Sequence, residues 1–116
     1  MADVTISFSE VADKPDTKLA TFVGQLDETN IEDEAKLVYS ELDTGLKNLI
    51  FDFSGLTYLN SKSIGYIADW QSKISQNGGK LVIFGAAENI FDILDVVGLT
   101  KLIDLVDDLD AAKKAI

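Results

Sequence analysis

The chain has 116 residues, of which 47% are hydrophobic and 26% charged, and these values predict one globular domain spanning residues 1–116. It contains no histidine or cysteine, and all ten basic residues are lysines, so the usual general base, the thiol nucleophile and the bidentate phosphate clamp are missing. The net charge of −10 disfavours nucleic acid and anionic membranes as partners and favours a basic protein.

The beginning of the chain predicts a β-hairpin. Residues 4–11 alternate between apolar and polar side chains, which is the period of a half-buried strand. Asp13-Lys14-Pro15-Asp16 is typical of a turn, because proline supplies a fixed φ angle, and residues 19–24 form the second strand.

A helix and a buried strand follow the hairpin. Thr29 and Glu32 have the spacing of a capping box, which predicts a helix start. Residues 48–53 are apolar at nearly every position, as in a strand that is covered on both faces. Between them, four apolar residues recur at helical spacing up to a stop near Gly45: Ile31, Ala35, Val38 and Leu42.

The next helix and strand show the same alternation. The apolar residues of the second helix are predicted to share one side, and Asn77-Gly78-Gly79 stops the helix. Residues 81–84 form a short buried strand. The predicted apolar side consists of Ile64, Ile67, Ala68 and Ile74.

The last part of the chain completes an α/β fold. Phe91, Leu94 and Val97 mark a third helix that ends at Gly98. Residues 103–106 are the last strand, and residues 108–116 are a short terminal helix. The order β-β-α-β-α-β-α-β-α predicts a single α/β domain with a mixed, mostly parallel sheet, an N-terminal hairpin and four helices.

Residues 49–70 hold the most informative feature, a strand followed by a short turn and then by a helix that begins at Asn60 and Ser61. A hydroxyl at a helix start lies among unpaired backbone N–H groups at the positive end of the helix dipole. Such a position tolerates an added phosphate, because anions are stabilised there. The pattern alone fits an ordinary helix cap as well as a modification site.

Four segments resemble those of the STAS domain, the fold of bacterial anti-sigma-factor antagonists. The family's central motif usually reads Asp-Ser-x-Gly, followed by an aliphatic residue and glycine. In this chain the corresponding residues are Asn60-Ser61-Lys62-Ser63-Ile64-Gly65. The four segments are Gly24-Gln25-Leu26-Asp27, residues 51–61, Asn77-Gly78-Gly79-Lys80-Leu81 and Val97-Gly98-Leu99.

The resemblance implies that Ser61 is a phosphoacceptor, with Ser63 as the fallback. Ser61 falls on the serine that the family's partner kinase phosphorylates, Asn60 on the usual aspartate and Ser63 on the usual glycine. In that family the unmodified domain binds an anti-sigma factor that is also a serine kinase, and so frees the sigma factor. The phosphorylated domain is released, and a serine phosphatase resets it.

The surroundings of Ser61 are the expected partner surface. Tyr66 and Trp70 lie four residues apart, on the side of the helix opposite Ile64 and Ala68. Burial of this aromatic pair is favoured, and exposure as a docking anchor is the alternative. The candidate partner-binding residues are Asp27, Asn60, Ser61, Lys62, Ser63, Tyr66 and Trp70.

Two other kinds of function remain as alternatives. Members of the family also serve as constitutive interaction modules, such as transporter accessory subunits or signalling scaffolds. A phosphoaspartate receiver would use Asp52, but the first strand leads into a hairpin, so we expect Asp52 to be a structural carboxylate. Gly78-Gly79-Lys80 precedes a strand, which indicates a turn and not a phosphate-binding loop.

The features that are missing predict a cytoplasmic protein that is not an enzyme. No run of 18 apolar residues is present, the first residues lack a secretory pattern, and no cysteine is available for disulfides. We expect no cofactor, no bound metal and no membrane insertion. The expected output is binding to another protein.

Overall fold

The computed structural model describes residues 3–116, and over this range it has the predicted order of five strands and four α-helices. A 3₁₀ turn at Leu99–Lys101 lies between the third helix and the last strand. The strands are β1 Val4–Val11, β2 Lys14–Leu26, β3 Asn48–Leu59, β4 Leu81–Phe84 and β5 Asp104–Val106. The helices are α1 Ile31–Leu42, α2 Ser61–Gln76, α3 Glu88–Val96 and α4 Leu109–Ala115.

The strands form one mixed sheet in the order β1-β2-β3-β4-β5. β1 runs antiparallel to β2, and every other neighbouring pair is parallel. The predicted mixed sheet with an N-terminal hairpin is therefore confirmed. Because parallel strands end at the same edge of a sheet, Leu26 at the end of β2 is paired with Leu59 at the end of β3.

The two faces of the sheet are covered unequally. The buried residues of α1, α2 and α3 pack with Leu49 and Phe51 of β3 in the main core. On the other face, Ala112 of α4 packs with Ile50 and Val82 in a smaller core. Successive residues of β3 therefore point to different cores, which confirms that this strand is covered on both faces.

The hairpin turn is tighter than predicted. Val11 pairs with Lys14, so the turn consists of Ala12 and Asp13, and Asp13 has a positive φ of 65°. Pro15 lies inside β2, where the register shifts between Glu10 and Val11. This irregularity accommodates a residue that has no N–H to donate to the ladder.

β3 also extends beyond its predicted end. The segment after Phe53, which was predicted to be a short turn, continues as a strand to Leu59. Opposite β2 the register shifts twice, between Thr21 and Val23 and again between Gly24 and Gln25. Bulges absorb the extra residues of β3, and the strand delivers its last residue directly to α2.

The predicted capping box at the start of α1 is wrong. The N-cap is Asn30, and the Thr29 hydroxyl donates a hydrogen bond to Oδ1 of Asp27 at 2.5 Å. Glu32 does not reach back to the cap, because its carboxylate pairs with Lys62. Two residues of the predicted capping box therefore hold neighbouring segments of the chain in place.

The apolar side of α3 differs from the prediction as well. Its buried residues are Ile90 and Leu94, whereas Phe91 and Val97 are 40% and 52% exposed. Gly98 has a φ of 85° just after the helix, which agrees with the predicted stop. No helix of residues 3–116 has both the length and the apolar composition needed to cross a bilayer.

Candidate functional site

The predicted helix start at Asn60 and Ser61 is confirmed, and it lies at the carboxyl edge of the sheet. Leu59 is the last residue of β3, Asn60 is the extended N-cap of α2, and Ser61 is the first helical residue. The pairing of Leu26 with Leu59 brings the loop between β2 and α1 alongside this position.

Asn60, and not Ser61, caps the helix. Its Oδ1 accepts hydrogen bonds from the backbone N–H of Ser63 at 3.0 Å and from the Ser63 hydroxyl at 2.8 Å. Its Nδ2 donates to Oε2 of Glu28 at 2.9 Å. The side chain of Asn60 therefore joins the first turn of α2 to the loop that follows β2.

Ser61 is left available for chemistry. The residue is exposed, and no residue in the range 3–116 forms a hydrogen bond with its hydroxyl. Since Asn60 already accepts the capping hydrogen bond, the hydroxyl of Ser61 is not needed to cap the helix. Its position at the helix start is one where an added anion is stabilised.

Ser63 does not fit the fallback role of phosphoacceptor. Its exposed fraction is 0%, and its hydroxyl donates to Oδ1 of Asn60. A kinase would have to break this hydrogen bond and unpack the first turn of α2 to reach Ser63. The burial of Ser63 thus corrects this expectation and explains how a serine replaces glycine here.

Lys62 and Glu32 connect α2 to α1 on the other side of Ser61. The Nζ of Lys62 lies 2.6 Å from Oε1 of Glu32. The hydrogen bond from Lys62 lowers the pKa of Glu32, and the same contact raises the pKa of Lys62. Lys62 is thus held by a neighbouring carboxylate at the surface beside Ser61.

Asp27 shapes the loop that faces this helix start. Its Oδ1 accepts hydrogen bonds from the Thr29 hydroxyl at 2.5 Å and from the Thr29 backbone N–H at 2.9 Å. The hydroxyl contact is the main reason why the pKa of Asp27 is lowered. These bonds close a compact turn around Glu28, the residue that contacts Asn60.

Trp70 is not part of an exposed surface. Its exposed fraction is 0%, and its ring meets that of Phe51 edge to face, with centroids 5.6 Å apart. The buried stripe of α2 contains Trp70 where Ile64 and Ala68 were expected. The predicted burial of Trp70 is therefore confirmed, and Trp70 cannot be the exposed docking anchor that was the alternative. The buried residues of α2 are Ser63, Ile67, Trp70 and Ile74.

Tyr66 has an intermediate position between α2 and α1. It is partly buried, with its ring 6.2 Å from that of Trp70 and 6.3 Å from that of Tyr39. The Tyr39 hydroxyl donates to Asp69, and burial is the first cause of the raised pKa of Tyr39. Tyr66 therefore belongs mainly to the contact between two helices.

A shallow apolar cleft beside Ser61 was missed by the sequence analysis. Its volume is about 280 Å³. Val96 and Val97 contribute the most exposed apolar surface, at 85% and 52%. The sequence does contain an indication of this cleft, because two adjacent valines lie at a helix end just before Gly98. The cleft is lined by Ser61, Ile64, Asp92, Ile93, Val96 and Val97.

Two features that resembled other functional sites have structural roles. Oδ1 of Asp52 accepts a hydrogen bond from the backbone N–H of Ser54 at 2.9 Å, which confirms the prediction of a structural carboxylate. Gly78 has a φ of 80° and lies in the turn after α2, as expected. Within residues 3–116, no group of three or more aspartates and glutamates is arranged to hold a metal ion.

Several solved structures share this fold at low sequence identity. An anti-sigma factor antagonist from Mycobacterium paratuberculosis is 18% identical, with a TM-score of 0.87 over 98% of this chain and 94% of that chain. The Bacillus cell fate determinant SpoIIAA in its phosphorylated form is 14% identical, with a TM-score of 0.74 over 97% of this chain and 100% of that one.

The same fold also occurs within a much longer chain, that of an anion transporter. The murine anion transporter Slc26a9 is 16% identical, with a TM-score of 0.71 over 95% of this chain and 21% of that chain. The model of the STAS domain matches residues 9–112, which is most of the chain. With its five-stranded mixed sheet, its four helices and this match, the chain belongs to the STAS domain family.

Proposed function

We propose that this chain is an anti-sigma-factor antagonist that acts as a phosphorylation switch and not as an enzyme. In this proposal the unmodified protein binds an anti-sigma factor that is also a serine kinase, and phosphorylation of Ser61 ends the complex. A serine phosphatase then restores the unmodified form. The observation that carries the proposal is the exposed hydroxyl of Ser61, which no residue of the described range 3–116 bonds, at the start of α2 and at the rim of the apolar cleft.

The fold tolerates a phosphate at Ser61. The first N–H groups of a helix have no intrahelical acceptor, and the positive end of the dipole stabilises an anion there. Lys62, a cation, is the next residue. Because the Ser61 hydroxyl has no hydrogen-bond partner among residues 3–116, modification adds charge without removing a hydrogen bond of this range.

The same phosphate is expected to break a complex formed over the cleft. A phosphoserine carries about −1.5 to −2 charges at neutral pH. Ser61 lines the cleft together with Ile64, Ile93 and Val96, so a partner bound there would have to desolvate this charge against apolar side chains. Binding and phosphorylation at this surface therefore oppose each other.

The proposed docking surface consists of the cleft and the polar residues around Ser61. Val96 is 85% exposed, and side chains so exposed and apolar gain from being covered by a partner. The net charge of −10 favours a basic partner, which is steered to the acidic protein by its field. Asn60, Lys62 and the loop at Asp27 would then set the orientation of the complex.

The proposal agrees with the described relatives. One structural neighbour is an anti-sigma factor antagonist, and another was solved in a phosphorylated form. Both are less than 20% identical to this chain, so the likeness itself concerns the fold, and the function is proposed from the position of Ser61. Regulation of a sigma factor would take place in the cytoplasm.

The decisive experiment is intact-mass spectrometry of the protein expressed in its native host. We expect an added phosphate on the wild-type chain and none on Ser61→Ala, while Ser72→Ala, which removes an exposed hydroxyl from the same helix, remains modified. The kinase can then be purified by its activity on Ser61 and tested for binding. Ser61→Asp should bind it at least about tenfold more weakly than Ser61→Ala.

The competing function is a constitutive interaction module, and the likeness to the transporter's domain is the observation that favours it. Such a module would bind its partner without ever receiving a phosphate. A wild-type chain that is never phosphorylated in its host, or a phosphate that persists on Ser61→Ala, would contradict the switch. Adjacent genes for a serine kinase or for a transporter would point to one function or the other.

A further inference from the structure

We infer that Glu28 supplies, from the neighbouring loop, the carboxylate that the family motif usually places directly before the acceptor serine. Asn60 and Ser63, the two departures from that motif, form a single hydrogen-bonded unit with Glu28. Glu28 is thus a positioning residue for phosphorylation of Ser61. This role rests on the proposed function, because it describes how a kinase recognises the acceptor.

The orientation of the Asn60 amide is set by its neighbours. The backbone N–H of Ser63 can only donate, so the atom 3.0 Å away must be the amide oxygen. The carboxylate of Glu28 can only accept when ionised, so the atom 2.9 Å away must be the amide nitrogen. If the amide were reversed, its nitrogen would face the N–H of Ser63, and its oxygen would face the carboxylate of Glu28.

Ser63 strengthens this orientation from inside the helix. Its hydroxyl is buried and needs a partner, which it finds in Oδ1 of Asn60 at 2.8 Å. The glycine that is usual at this position makes no such demand. Ser63 and Asn60 are therefore matched, and together they direct the amide nitrogen toward Glu28.

Glu28 is brought to Asn60 by the sheet and by its own loop. The pairing of Leu26 with Leu59 places the ends of β2 and β3 side by side. The hydrogen bonds between Asp27 and Thr29 close the loop around Glu28. Glu28 is also the smallest of the causes that raise the pKa of Lys62, after Glu32 and Tyr66, and its main contact is the hydrogen bond with Asn60.

An aspartate at position 60 would conflict with this arrangement. It would still cap the helix, but its carboxylate would face that of Glu28 across a gap that now holds a hydrogen bond. Compared with the usual family motif, the carboxylate near the acceptor is therefore retained, but residue 28 carries it in place of residue 60. Exchanging the two groups, as Glu28→Gln with Asn60→Asp, would reverse the hydrogen bond and return the carboxylate to position 60.

The first test measures whether residues 28 and 60 are coupled. Thermal melting is compared for the wild type, Glu28→Gln, Asn60→Asp and the double variant. Asn60→Asp should lower the melting temperature by a few degrees in the presence of Glu28 and by less in the Glu28→Gln background. Equal effects of Asn60→Asp in both backgrounds would overturn the inference.

The second test measures recognition of the acceptor. Purified, folded variants are supplied with ATP and Mg²⁺ in clarified extract of the native host, and phosphate on Ser61 is followed by intact mass. We expect the initial rate to fall about tenfold for Glu28→Gln, the effect of losing one charge-assisted contact, and to recover in the double variant. Glu10→Gln, an exposed change of the same charge, is the matched control.

The outcomes separate this inference from the proposed function. A wild-type chain that receives no phosphate on Ser61 ends the proposed function and, with it, the role of Glu28. Phosphorylation of Glu28→Gln at the wild-type rate leaves the switch intact and overturns the role of Glu28 alone. The role of Glu28 would also be overturned if Glu28→Gln is phosphorylated slowly and the double variant with Asn60→Asp is equally slow. A carboxylate at position 60 would then not replace the one lost at position 28.

Discussion

Trp70 links the second helix to the sheet and to the first helix. Its ring contacts those of Phe51, Tyr39 and Tyr66, with centroids 5.6, 6.4 and 6.2 Å away. None of its surface is exposed. Trp70 is therefore a core residue, and the docking surface that we propose is the cleft between α2 and α3.

Removal of Trp70 should consequently damage stability and not only binding. Trp70→Ala leaves a cavity between α2 and β3, and we expect a loss of about 3–5 kcal/mol in the free energy of unfolding, measured by urea denaturation. Tyr58→Ala is a suitable control, because Tyr58 is 46% exposed and should cost about 1 kcal/mol or less. A stable Trp70→Ala would mean that α2 packs differently.

At the scale of elements, the starts of α1 and α2 are held together by polar contacts. Lys62 pairs with Glu32, and Asn60 donates to Glu28 just before α1. Ser61 lies between these two contacts and takes part in neither. The arrangement fixes the backbone around Ser61 while no residue in the range 3–116 bonds its hydroxyl, which agrees with the proposed role of Ser61 as a phosphoacceptor.

The Lys62–Glu32 pair predicts a specific dependence on pH. Because Lys62 lowers the pKa of Glu32 below its ordinary value of 4.5, the stabilisation is present at neutral pH. It is lost as the pH falls through the lowered pKa of the folded state. Glu32→Gln should therefore melt slightly below the wild type at pH 7, and the two curves should converge at acidic pH.

An NMR titration gives a direct check on the same pair. The pKa of the Glu32 carboxyl should rise toward 4.5 in Lys62→Gln and should not change in Lys101→Gln, a distant control. Added salt should also reduce the difference in the Glu32 pKa between the wild type and Lys62→Gln, since both side chains of the pair are exposed to solvent. An unchanged pKa in Lys62→Gln would show that the pair does not persist in solution.

The cleft between α2 and α3 carries its own prediction. Val96→Asp would place a carboxylate among apolar residues when a partner covers the cleft, and we expect the affinity for the kinase that modifies Ser61 to fall at least about tenfold. Leu102→Asp is the matched control, because Leu102 is 63% exposed and lines a different depression. Equal binding by both variants, measured by calorimetry, would exclude the cleft as the docking surface.

At the scale of the molecule, the sheet determines which residues meet. β2 and β3 are parallel neighbours, so the residues that follow them, Asp27 and Asn60, reach the same edge. The three helices on one face bury the main core behind that edge. The site is thus built on the ends of strands and helices, and the net charge of −10 would steer the basic partner that we propose.

The sequence by itself determined the fold class, the order of the elements and the helix start that carries Ser61. Periodicity identified each strand and helix, because burying one face of an element requires a regular spacing of apolar residues. The start of α2 was also correct, since Asn60 and Ser61 are preferred at helix starts. These features could be predicted because each depends on residues that are close together in the chain.

Only the tertiary structure decided which side chains are free. Trp70 and Ser63 are residue types that are common in binding and modification sites, but packing in the folded chain buries both. Glu28 gave no signal, because its contact with Asn60 joins residues 32 positions apart that meet through the pairing of β2 with β3. Local periodicity does not contain strand order, and strand order brings the distant residues of this site together.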